Sequence, residues 1–156
     1  MGYDVETLMD KSRKELDEIF SAVPAGDIPS GEADGTAIVA PGTRFSPVIA
    51  RFINIFAWKG KVFDREKGLL RNRILPFGLK AVIAKVYKGE SWLDGKECIV
   101  LDYSDTSLVA HWIRDEIRAI EPGVYLGKAY WDDKRLIDFV LDFNTHRRGG
   151  SGQVPP

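Results

Sequence analysis

The chain has 156 residues, 44% of them hydrophobic and 29% charged, with a net charge of -1 at neutral pH. That is the size of one domain able to bury a core without crosslinks, and it carries no positive excess with which to hold a nucleic acid. The single Cys98 excludes an intrachain disulfide, and with only His111 and His146 beside it there is no Cys/His cluster for zinc, so neither metal nor cofactor is expected.

The N-terminus is acidic and amphipathic where a secretory signal would be basic and then apolar, and no run approaches a membrane span. Glu6 stands where a myristoylation signal needs Ser or Thr. A cytoplasmic protein is the expectation. From Asp4, a natural N-cap, Val5, Leu8, Met9, Leu16, Ile19 and Phe20 recur at helical spacing and predict one amphipathic helix ending before Pro24. Residues 25–35 are rich in Gly, Pro and Asp and read as a loop entering a strand near 36–39. Ser46 and Pro47 then open a second helix, apolar on nearly every side through Phe56.

From Trp58 the period changes to two. Trp58, Gly60 and Val62 alternate with Lys59 and Lys61, Leu70, Asn72 and Ile74 with Arg71 and Arg73, and Val82, Ala84 and Val86 continue the series. Further strands are predicted over 95–103 and 124–131, and a last one in which Ile137, Phe139, Leu141 and Phe143 oppose Asp138 and Asp142. Residues 106–120 fit helix and strand alike, and a helical turn leading into a strand from about Arg114 is favoured. The tail 146–156 is flexible by composition. The whole is a mainly β protein with minor α: a single domain over 1–145, built as an antiparallel up-and-down, lipocalin-like barrel or half-barrel of seven to eight strands.

The blocks Leu16 to Gly35, Trp58 to Phe63 and Asp115 to Phe143 resemble the bacterial GXWXG-motif family with its companion domain of unknown function. In place of the signature the chain has Gly31, Glu32, Ala33, Asp34 and Gly35, keeping the glycines and replacing the tryptophan. Trp58 with Arg135 also resembles the Trp and Arg arrangement of lipocalins. The resemblance implies a small barrel and names no activity.

Function must come from polar residues on dry faces, because an unpaired buried polar group costs about 1–3 kcal/mol. Asn72 and Asp115 are the two candidates, and Tyr125, beside the small Gly127 and Ala129, is positioned to join them. An interior lined by Trp58, Val62, Asn72, Asp115, Tyr125, Trp131 and Phe139 would bind a small hydrophobic molecule. The alternatives are a barrel enzyme, an isomerase, cyclase or hydrolase using Asp115, Tyr125 or His111 in acid–base roles on an apolar metabolite, and an interaction protein that dimerises through a sheet edge or through Ser46 to Phe56; a monomer or a homodimer is expected. The helix from Ser46 to Phe56 offers a plug, a lid or a membrane-surface contact. Cys98, mid-strand, reads as a packed side chain, and Lys59, Lys61, Arg71 and Arg73 as a solvated face.

Overall fold

The computed structural model describes residues 2–38, 47, 61–72, 82–105 and 112–145. The N-terminal amphipathic segment forms two helices, α1 (Val5–Met9) and α2 (Arg13–Ser21). Each begins with a capping box: Asp4 accepts from the backbone N–H of Thr7, and Ser12 from that of Glu15. The second box is why the predicted single helix breaks. Ser12 satisfies the free N–H groups of a new helix better than it would sit inside an old one.

Eight strands follow: β1 (Gly31–Ile38), β2 (Lys61–Asp64), β3 (Leu69–Asn72), β4 (Val82–Glu90), β5 (Glu97–Asp102), β6 (Ile113–Glu121), β7 (Val124–Trp131) and β8 (Lys134–Asp142). Each pairs antiparallel with the next, and β8 returns to β1, so the sheet is a closed up-and-down barrel. Strand β1 begins at Gly31, within the stretch expected to be loop. Its Gly and Asp residues disfavour a strand, but pairing to β2 on one side and β8 on the other overrides local preference.

The barrel sorts its side chains into two shells. Phe63, Leu70, Ala84, Val86, Ile99, Leu101, Ile117, Phe139 and Leu141 belong to the inner core. The outer shell lies over β5 to β8 and β1, where Cys98, Val100, Leu126 and Val140 meet Leu8, Leu16 and Phe20 from the helices. Asp138, expected on a charged outer face, is therefore buried: it points outward but beneath α2, where it pairs with Lys128 and Arg135.

One end of the barrel is closed by residues 25–30. Ala25 accepts from the backbone N–H of Ala119, Asp27 accepts from the Tyr125 hydroxyl at 2.7 Å, and Arg65 donates to the carbonyl of Ile28. Beneath this cap Phe143 packs between Phe63 and Tyr125, with ring centroids at 5.4 and 5.5 Å. The tight turn from β6 to β7 uses Gly123 at φ +75°, where a Cβ would fall 2.4 Å from the Asn144 side chain.

Candidate functional site

The other end of the barrel carries the polar interior. Asp115 on β6 is fully enclosed, 1% exposed, between the inward-facing Ile113 and Ile117. Lys61 at the start of β2 is also 1% exposed. In an eight-stranded barrel β2 and β6 are four strands apart, so the two side chains come from opposite walls and interact electrostatically across the interior. Each has a small neighbour in register, Ala33 beside Lys61 and Ala129 beside Asp115.

Burial acts on the pair in opposite senses. Removal from water pushes the Asp115 carboxyl well above the usual carboxylate range, an effect that Lys61 opposes and the neighbouring Glu116 reinforces. The same desolvation draws the Lys61 amine down, against the pull of Asp115. One oxygen of Asp115, Oδ1, is buried without a hydrogen-bond partner among the described residues. A carboxyl and an amine whose proton affinities have moved toward each other, enclosed by apolar walls, can bind a polar ligand group, exchange a proton with it, or both.

The expected site residues divide accordingly. Asp115 points inward as anticipated. Asn72 pairs with Lys61 across β2 and β3, which brings its backbone to the same end. Val62 is a correction: Lys61 and Phe63 occupy the inner face of β2, so Val62 is half-buried on the outer face and lines no interior. Phe139 is inside, but its ring fills the space expected beside Gly127, where a Cβ would lie 2.2 Å from it. Tyr125 belongs to the closed end, four residues along β7 from the register partner of Asp115, or about 13 Å. It therefore does not join Asp115, and its hydroxyl is spent on Asp27. Trp131 stands at the rim against Trp112, centroids 5.9 Å apart. Trp58, His111 and the segment 48–56 lie outside the described residues.

Lys61 is the buried interior charge that the sequence alone did not reveal. Val62 is one residue out of phase with the inner face that Lys61 and Phe63 form, and the available signal was Phe63, whose aromatic bulk two residues on belongs with Lys61. At the end of β5, Asp102 accepts from the Ser104 N–H at 2.9 Å and from the Tyr87 hydroxyl at 2.9 Å. A cleft of about 260 Å³ opens beside it between Trp92 and Trp112. Burial pushes the Cys98 thiol up to about 12, helped by Glu116, which makes it inert packing.

The outer shell holds a second set of charges with a structural logic. Arg118 is fully buried and donates to both oxygens of Asp94 at 2.7 Å and to the carbonyls of Phe20, Glu97 and Lys96. Lys128 donates to Asp17 at 2.7 Å and Asp138 at 3.0 Å, and Arg135 reaches the same two carboxylates. Glu116 accepts from Ser91, from the Trp92 N–H and from Arg114. These bonds tie α2 and the β4–β5 hairpin to the barrel. Among the described residues no cluster of three or more His, Cys, Asp or Glu is placed to hold a metal ion, and no helix is long and apolar enough to cross a membrane.

Fold and site together define a mainly β, eight-stranded closed barrel with one capped end and a buried charged pair toward the other. No family model and no curated protein matches the sequence. The chain is similar to a solved structure described as a crystal structure of a protein from Thermomonospora curvata, with 17% identity over 88% of this chain and 92% of that one, at a TM-score of 0.61. At that identity the likeness shows the shared fold.

Proposed function

We propose that this protein is a lipocalin-like binding module that holds one small hydrophobic molecule in its barrel, with the polar end of that molecule against Asp115 and Lys61. The observation that carries the reading is Asp115 Oδ1, a buried acceptor with no hydrogen-bond partner among the described residues. Leaving it so costs about 1–3 kcal/mol, which a ligand donor would recover. Apolar walls supply affinity and the charged pair supplies orientation. The single thiol fits a cytoplasmic setting, and kinship with the GXWXG-motif family is proposed on the sequence blocks that build the barrel.

The test is displacement of an environment-sensitive apolar fluorophore, N-phenylnaphthylamine, together with mass spectrometry of small molecules that copurify. Fluorophore binding that weakens in Asp115→Leu supports the reading. Absence of both a bound fluorophore and a copurifying molecule overturns it. Acid–base chemistry on such a ligand is the second reading, favoured by the opposed shifts of Asp115 and Lys61.

A further inference from the structure

We propose that Lys61 is a carbonyl-capturing nucleophile: an apolar aldehyde or ketone entering the barrel forms an imine on Lys61 Nζ, with Asp115 as proton donor and then counter-ion. This rests on the binding reading above and names the chemical class of its ligand.

Lysines are abundant and mostly solvated, so the first question is what sets this one apart. Lys14, Lys67, Lys85, Lys88, Lys96 and Lys134 are exposed. Lys128 is buried, but its Nζ donates to two carboxylates and lies 5.0 Å from the Phe20 ring centroid, in the outer shell. Lys61 alone among the described lysines reaches into the barrel, where its facing charge is Asp115. An amine attacks a carbonyl only when unprotonated, and desolvation in an apolar site is a recognised way to achieve this near neutral pH.

The pairing with a carboxyl completes the chemistry. Lys61 Nζ attacks the carbonyl carbon, and a proton passes from nitrogen to the carbonyl oxygen to give a carbinolamine. Asp115 then protonates that hydroxyl, which leaves as water while the nitrogen lone pair forms the C=N bond. The product is an iminium facing a carboxylate, with one water released and no change in oxidation state. The neutral amine and carboxylic acid become an iminium and a carboxylate, so the net charge of the site is zero before and after capture. Apolar neighbours such as Leu101, Ile113 and Ile137 exclude the water that would hydrolyse the product. Ala33 and Ala129, in register with the pair, keep bulk away from the reacting atoms.

The experiment treats the full-length protein with dodecanal and cyanoborohydride at neutral pH, followed by peptide mapping. The expected result is a reduced alkyl adduct on Lys61, formed at least about tenfold faster than on exposed Lys67 or Lys134. Asp115→Asn should slow labelling of Lys61 about tenfold, the size of a lost general acid at the low end. Labelling of surface lysines with Lys61 unmodified overturns the proposal, and undiminished labelling in Asp115→Asn overturns the role given to Asp115. N-phenylnaphthylamine binding measured on the same sample separates the two levels. If the fluorophore binds and Lys61 stays unmodified, covalent capture fails while the binding reading stands. If neither occurs, both fall.

Discussion

Replacing the interior pair by apolar residues of similar size, as Lys61→Met with Asp115→Leu, should make the protein more stable while abolishing recognition of the polar end of a ligand. Both side chains are 1% exposed, so each gives up nearly all of its hydration on folding. That loss amounts to several kcal/mol per ion, and their attraction returns only part of it. Asp115 Oδ1 adds an unpaired acceptor. Removing a buried pair whole is neutral or stabilising by about 1–4 kcal/mol, whereas Asp115→Leu alone strands Lys61 and should cost about 3–5 kcal/mol. Urea unfolding at neutral pH reads both, and each kcal/mol corresponds to about 2–4 °C in Tm for a chain of this length.

The pH dependence has a definite sign. The carboxyl of Asp115 is raised on folding, so its penalty is absent in acid, where both states are protonated, and complete above its folded value. The amine of Lys61 is lowered, so its penalty is complete below its folded value and vanishes in alkali, where both states are neutral. The gain from the double substitution should therefore peak near neutral pH and shrink on either side. A double variant less stable than the wild type at neutral pH would refute the reasoning and make the pair a structural strut.

Three further outcomes follow from the outer shell and the core. Arg118→Met should destabilise by about 3–5 kcal/mol, because it removes a fully buried guanidinium together with its bonds to Asp94 and to three carbonyls; chemical denaturation measures it. Hydrogen bonding to Arg118 holds the Asp94 carboxyl down to about 2, so the stability this contact adds is complete above the ordinary Asp range and is lost as pH falls toward 2. The variant should lack that part of the acid limb. Gly127→Ala should cost about 1–3 kcal/mol by driving a methyl into the Phe139 ring, and Phe139→Leu in the same chain should return part of the loss in thermal melts. Cys98 should resist a thiol reagent in the native protein and react on unfolding, since it is fully buried and its thiol is raised to about 12.

Strand β8 was readable because Ile137, Phe139, Leu141 and Phe143 keep a strict period of two, and the closed barrel buries that face throughout. Asp115 was readable for the same reason, as an acid standing between two isoleucines. Lys61 was not, since a lysine in an alternating strand normally faces water and the competing apolar set was only one residue out of register. Tyr125 shares the inner face with Ala129, but periodicity fixes the side of a strand and not the distance along it. The break between α1 and α2 was written in Ser12 and Glu15, a capping box hidden by hydrophobic spacing that runs on across it. The charges under α2 were beyond reach, because nothing local says that an outward-facing Lys128 or Asp138 will be covered by a helix more than a hundred residues earlier in the chain.

The wall that carries Asp115 is the braced one. Strands β5 to β8 are backed by the two helices and pinned by Arg118, Lys128 and Arg135. Opening free energy tracks such buried contact, so the amides of β6 and β7 should be among the last to exchange. Asp115 is thus mounted on this braced wall, and Lys61 reaches toward it from the opposite one. A guest that parts the pair meets in the carboxylate a fixed point, to which the amine returns on its departure.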